Sequence, residues 1–329
     1  MFFRPLFRLV PDNTRINFMR GRIMGLVVSA VLSTASLILF IHPGLNLGID
    51  FRGGIVIEAR TPGPADFAKI RQALAAEHLD ASGVQRFGAP DDVLIRLESQ
   101  PNERATQAAA DRVRHALETD IPGTKVLRVD AVGATVSAEL LRDGILALGI
   151  SLLMILVYIW FRFEWEFAVG AVVTLVLDIT KTIGFLVLTH IEFDFVIVAA
   201  ILTVIGYSTN DKVVVYDRVR ENLRKYKAMP LRELIDLSIN ETLSRTVGTS
   251  MTVFLASLPL ALFGGSSLSG FAWTMLFGIV VGTSSSIFIA APILLFLGEH
   301  RLRKDAQVVR AAKPTAAQLS AVRNKGTRP

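Results

Sequence analysis

Apolar residues in this chain come in long blocks. Six stretches are nearly free of charge, at 21–41, 143–161, 167–189, 195–216, 246–263 and 270–297. Each reaches about 18 residues or more, enough for a helix to cross about 30 Å of hydrocarbon. The pattern predicts six transmembrane helices. The first is read as a retained span, because its apolar core is too long for a cleaved leader and His42-Pro43-Gly44 is a poor cleavage site.

The segment between the first two blocks has a different rhythm. Ile55, Ile57 and Ala59 alternate with other residues, as in a strand. Phe67, Ile70, Leu74 and Ala75 recur at helical spacing, as do Ala105, Ala109, Val113 and Leu117. Stretches 84–87, 93–97 and 125–131 are strand-like. The order βαββαβ predicts an α+β, ferredoxin-like domain over 43–142. The chain then divides into an N-terminus (1–20), a first helix (21–41), this domain, a five-helix membrane region (143–297) and a basic tail (298–329) expected to be disordered.

Composition agrees: 51% of the 329 residues are hydrophobic and 19% charged, with mean hydropathy +0.48. The charge is placed asymmetrically. Arginines and lysines crowd the N-terminus, the 217–245 connection and the tail, whereas the turns 190–194 and 264–269 have none. By the positive-inside tendency both termini are cytoplasmic and the domain lies outside. The pI near 9.8 follows from this bias rather than from nucleic-acid binding. With no cysteine, no disulfide is expected in the outer domain. Five scattered histidines and the lack of a phosphate-binding loop predict no metal, no cofactor and no catalysis.

Four charges stand inside the spans, where an ionised side chain costs at least about 2.5–3.5 kcal/mol and usually marks function. Asp178 and Lys181 are three apart on the third span and can pair on one helix face. Asp211 and Lys212 are adjacent on the fourth and point about 100° apart, so Lys212 is a poor partner for Asp211. Lys212 is expected to snorkel to the nearer headgroups. Arg245 enters the fifth span at a depth that approaches Asp211. With Ser208, Thr209 and Asn210 around it, Asp211 has the makings of an ion relay. On the sixth span Gly270, Thr274, Gly278, Gly282, Ser286 and Ala290 form a ridge of small residues for close helix packing, in this chain or another.

Four motifs carry a resemblance: "LGIDFRGG" (47–54, with Gly48, Asp50, Gly53 and Gly54), "GYSTNDKVVVYDRVREN" (206–222), "LSRT" (243–246) and "FGGSSLSGFAWTMLFGIVVGTSSSIFIA" (263–290). Together they resemble the SecF family, the smaller membrane subunit of the bacterial SecD–SecF protein-export complex, in the resistance-nodulation-division superfamily. The resemblance implies pairing with SecD and assistance to SecYEG and SecA at a late stage of export, driven by protons or sodium. YajC and YidC are further implied partners, with unfolded exported polypeptides as cargo and the bacterial inner membrane as the site. It carries ion-coupling roles onto Asp211, Arg245 and Asp178; Asn210, Ser208, Lys181 and Lys212 are read from their place in the spans as supporting polar residues. The chain departs from the family pattern in Lys212, where a small hydroxyl residue is usual, in Lys181, and in Leu177 where a histidine is common. The alternative within the family is an assembly subunit that does not itself couple to ions. A Tyr216-Asp217 pair also occurs in intramembrane aspartyl proteases, but their Gly-x-Gly-Asp is missing here.

Overall fold

The structure, a computed structural model, describes residues 11, 14–77, 79, 81–86, 89–100 and 102–298. The basic tail expected to be disordered lies outside the described residues.

Among the described residues, six helices are long and apolar enough to cross a membrane: Phe18–Ile41, Ala134–Arg162, Trp165–Thr189, Phe195–Lys225, Leu231–Phe263 and Leu268–Leu297. The chain is a multi-pass membrane protein. Its elements are α1 (Arg22–Ile41), α2 (Ile49–Arg52), β1 (Gly54–Arg60), α3 (Phe67–Ala76), β2 (Ala81–Arg86), β3 (Asp92–Leu97), α4 (Glu103–Asp120), β4 (Lys125–Val132), α5 (Ala134–Arg162), α6 (Trp165–Thr189), α7 (Phe195–Lys225), α8 (Leu231–Phe263) and α9 (Gly265–Ser285). A π-helical turn (Ser286–Ala290) joins α9 to α10 (Ala291–Gly298).

Several helices outrun the apolar blocks. α5 begins at Ala134, α7 runs to Lys225 and α8 begins at Leu231. The added turns of α7 and α8 are polar and bind each other. Arg218 Nε donates to Glu241 Oε2 at 2.7 Å, and Asn222 Nδ2 donates to Ser238 Oγ and Glu241 Oε2. Hydropathy ends where the hydrocarbon ends, but backbone hydrogen bonding continues the helix until its charged turns lose their partners.

Strands β1–β4 form one antiparallel sheet in the order β2-β3-β1-β4. Alternation puts Ile55, Ile57 and Ala59 on one face, where α3 and α4 close a core with Ile70, Leu74, Val93, Ile95, Val113 and Leu117. Asp66 caps α3, accepting from the amides of Ala68 and Lys69, and Asn102 caps α4 through Ala105.

The other sheet face, with Val56, Glu58, Leu94, Arg96 and Arg128, looks onto one end of the helix bundle. Between them lies a cavity of about 1150 Å³. The glycine-rich segment 48–53 leads into β1. It forms the single turn α2 and also clasps the α6–α7 connection. Gly48 N donates to Phe193 O at 2.9 Å, Phe193 N donates to Asn46 O at 2.7 Å, and Phe51 packs on Phe193. Gly53 and Gly54 have φ of 72° and 128°, and a Cβ on Gly54 would sit 2.6 Å from the Leu97 carbonyl oxygen. Only glycine lets the chain turn there so close to β3.

Candidate functional site

Helix α7 runs through the centre of the bundle. Its neighbours approach closely because they present small residues. The ridge on α9 faces α7 of the same chain: a methyl at Gly278 would lie 2.3 Å from Val204, and one at Gly282 would lie 3.0 Å from Ser208. Gly270 faces Ile191 and Ile197 at the domain end. α1 packs on α6 the same way, burying Ser29, Ser33 and Ser36, with Ser36 against Gly184. Without a hydrophobic drive between helices in lipid, such close backbone packing and polar contacts hold a bundle together.

The four intramembrane charges are all buried: Asp178 is 1% exposed, Lys181 5%, Asp211 4% and Lys212 1%. They divide into two sites on neighbouring faces of α7, about 100° apart. On the α6 flank, Lys212 Nζ donates to Asp178 Oδ2 at 2.8 Å and to the Ser208 carbonyl at 3.3 Å, and it also donates to Ser208 Oγ. Lys181 Nζ stands 3.6 Å from the other carboxylate oxygen, Asp178 Oδ1. Two hydroxyls complete the site: Ser208 Oγ at 2.8 Å and Ser285 Oγ at 2.6 Å both donate to Asp178 Oδ2.

On the other flank, Asp211 accepts from Thr246 Oγ1 of α8 at 2.7 Å and from Ser286 Oγ of the π-turn at 2.5 Å. No ion pair to Asp211 exists among the described residues. Consecutive serines thus serve the two carboxylates, Ser285 that of Asp178 and Ser286 that of Asp211. The helix widens into its π-turn at this point, a distortion often found where helices carry function. A polar string continues toward the domain end: Tyr207 Oη donates to Ser250 Oγ at 2.6 Å, Ser250 and Thr283 hydroxyls meet at 2.7 Å, and Ser250 also donates to Thr246 O. Toward the other end lie buried Thr242, Ser238 and Asn222.

Three expectations are corrected. Lys212 does not snorkel; its ammonium folds onto Asp178 of α6, because a buried charge needs a partner and a carboxylate supplies one. Arg245 does not approach Asp211. It is exposed, and its neighbour Thr246 makes the contact, since one residue on a helix is a rotation of about 100°. Asn210 is exposed as well and makes no contact in this cluster. The expected pairing of Asp178 with Lys181 is present at 3.6 Å. Ser208 is a fourth correction: expected around Asp211, it donates to Asp178 instead. Sequence reasoning missed Ser285 and Thr246 as carboxylate partners; the Ser284–Ser286 run and the Thr in "LSRT" were the available signals.

The glycine motif connects to this helix. Asp50 Oδ2 accepts from Phe195 N at 2.9 Å, and Asp194 Oδ1 accepts from Ile197 N at 2.7 Å. Two carboxylates therefore cap α7, one of them supplied by the root of the sheet domain. Beside them Arg96 of β3 pairs with Glu192 at 2.6 Å. Burial pushes Glu192 above the usual carboxylate range, against the opposing pull of Arg96 and with Asp194 and Asp50 adding to the rise. Burial raises Asp194 too.

A bundle of six spans with a buried carboxylate–lysine centre, hooked at one end to an α/β domain, defines a class of polytopic membrane proteins built around internal charge. Residues 112–300 match the family described as protein export membrane protein SecD/SecF, C-terminal, and residues 38–61 match the SecD/SecF GG motif. A protein translocase subunit SecF of Cereibacter sphaeroides is 43% identical over 92% of this chain and 94% of its own length. A protein translocase subunit SecDF of Brucella abortus is 44% identical over 91% of this chain. The crystal structure of SecDF from Thermus thermophilus, a translocon-associated membrane protein, superposes with a TM-score of 0.79 at 32% identity over 90% of this chain. A SecDF in a super-membrane-facing form gives 0.65 at 31% identity. The chain spans 39% of the Brucella SecDF and 40% of the Thermus SecDF. The chain belongs to the SecD/SecF family, on its SecF branch.

Proposed function

We propose that this chain serves Sec protein export in the bacterial cytoplasmic membrane, as the partner of SecD, and that Asp211 couples it to the proton gradient. Both termini are then cytoplasmic, and the βαββαβ domain is a periplasmic domain of ferredoxin-like type, a reading that its strand order supports. SecYEG and SecA, with YajC and YidC, are the partners, and the cargo is an unfolded polypeptide.

The observation that carries the coupling role is the state of Asp211. It is a buried carboxyl held by two hydroxyls from α8 and the π-turn, with no cation in ion-pair contact among the described residues. A hydroxyl can donate to a carboxylate or accept from a carboxylic acid, so these partners suit either protonation state. The polar string from Tyr207 through Ser250 leads to it from the domain end. Movement of α7 reaches the periplasmic domain through Asp50 and the Gly48–Phe193 clasp.

The test uses inverted membrane vesicles containing the chain, SecD, SecYEG and SecA. Asp211→Asn keeps shape and hydrogen bonding and removes the titrating carboxyl. It is expected to abolish the gradient-dependent part of export, with the protein still inserted and paired. Normal gradient-dependent export from this variant overturns the coupling role. The assembly reading has its own support in the Asp178–Lys212–Lys181 cluster, a fixed ion pair that holds α6 to α7.

A further inference from the structure

We propose that Lys212 is a tethered cation: its ammonium fills a preformed oxygen cage at Asp178 that would otherwise admit a free monovalent cation. The inference deepens the reading of Asp211 as the coupling carboxyl, on which it rests, because it fills the site at Asp178 with the chain's own cation and makes the chain indifferent to sodium.

The cage is built from two helices and completed by a third. α6 supplies the Asp178 carboxylate. α7 supplies the Ser208 hydroxyl and, because Lys212 folds back over its own helix, the Ser208 carbonyl. α9 supplies the Ser285 hydroxyl, directed at the same carboxylate oxygen. Carboxylate, hydroxyl and carbonyl oxygens in place of water are what a desolvated cation requires. An ammonium with three N–H donors makes the same demand, and all three are used here, on Asp178 Oδ2, Ser208 Oγ and Ser208 O. The occupant is therefore part of the chain and cannot leave.

Two consequences follow from charge. Asp178 faces Lys212 on one oxygen and Lys181 on the other, and the remaining groups around it are hydroxyls. A free cation entering here would meet two buried ammoniums, which repel it. Asp211, about 100° round α7 from Lys212, accepts hydrogen bonds from the hydroxyls of Thr246 and Ser286. The formal charges of Asp178, Lys181, Lys212 and Asp211 sum to zero, so the ammonium of Lys212 also balances the bundle without a bound ion.

Thermal unfolding of the purified full-length chain in detergent tests the cage, with sodium, potassium or lithium exchanged for choline at constant ionic strength. The unmodified chain is expected to melt at one temperature in all four. Lys212→Thr opens the cage, and its melting temperature is expected to rise by roughly 3 °C, saturably, in at least one of the small cations. Adding Asp178→Asn to that variant is expected to erase the response. A cation-specific shift in the unmodified chain, or a folded Lys212→Thr with no response to any of the three, overturns the proposal. Should Lys212→Thr fail to fold, the unmodified chain decides instead: no small cation is expected to move its melting temperature, and a saturable shift by any of the three overturns the proposal. Neither readout depends on export. Failure of Asp211→Asn in vesicles and failure of the cage are therefore separate results.

Discussion

The two halves of this chain are folded by opposite rules. In the sheet domain the interior is Ile55, Ile57, Ile70, Leu74, Ile95 and Leu117, while ion pairs such as Arg60–Asp92 and Arg128–Asp130 sit at the surface. In the bundle the centre holds Asp178, Lys181, Asp211, Lys212 and a set of hydroxyls, while Ile23, Met24, Trp160, Phe161 and Phe263 face outward. The domain is held by removal of apolar surface from water, a force that needs no particular partner. The bundle has no such force between its helices, since lipid is as apolar as leucine, so specific polar pairs and close contacts at glycine and serine set its arrangement. Loss of one methyl group from the domain is a graded injury. Loss of one charge from the bundle leaves its partner buried alone.

That contrast is broken most severely at Asp178. Asp178→Ala strands Lys212 and Lys181 together in the bundle, and breaking a buried pair costs about 3–5 kcal/mol. The expected result is poor accumulation and early melting of the spans, with the sheet domain still protected in hydrogen exchange. Lys181→Met is expected to cost less, because Lys212 at 2.8 Å keeps Asp178 paired whereas Lys181 is at 3.6 Å. Equal loss in the two variants would mean that the nearer lysine does not carry the pairing.

These residues also mark how much was legible in the sequence. Period-two alternation located β1, and helical spacing located α3 and α4, because a domain core records its own burial in the chain. Apolar runs likewise located all six spans. The unusual charges were visible for the same reason, as polar letters in apolar text. Their partners were not. Sequence shows neighbours on one helix, such as Asp178 and Lys181, but the pairing of Lys212 with Asp178 depends on how α6 is rotated against α7. A rotation of one residue, about 100°, is also what gave Asp211 to Thr246 rather than to Arg245. The π-turn that sends Ser285 and Ser286 to different carboxylates has no period to read.

The domain's counterpart experiment is Ile57→Ala. Ile57 is wholly buried at the centre of β1, and such truncations cost about 2–5 kcal/mol, graded by how far the site collapses. Loss of exchange protection is expected across β1, β3, α3 and α4, with the protection of α6 and α7 unchanged. Spread of the loss into the spans would mean that the two regions unfold as one unit rather than two.

The smallest effect is expected where the two regimes meet, at Arg96 and Glu192. This pair joins β3 to the α6–α7 connection and is partly open to the large cavity. Burial holds Glu192 above its ordinary value despite Arg96, and releasing the domain would return it toward 4.5. The docked state therefore binds more protons than the released state between those two values. Docking is strongest below the ordinary value and weakens as pH rises through the raised one. Asp194 shifts in the same direction and adds to the slope. Glu192→Gln carries no charge to bury and keeps an oxygen for Arg96. It is expected to flatten the pH dependence and to change docking at neutral pH by less than about 1 kcal/mol. Spin labels at Leu127 on β4 and Leu262 at the end of α8 report the separation of domain and bundle. In the unmodified chain their distance distribution should narrow on acidification from pH 7 to pH 5, and in Glu192→Gln it should narrow less. A distribution that broadens on acidification would mean that the ion pair with Arg96, rather than the burial of Glu192, governs the junction.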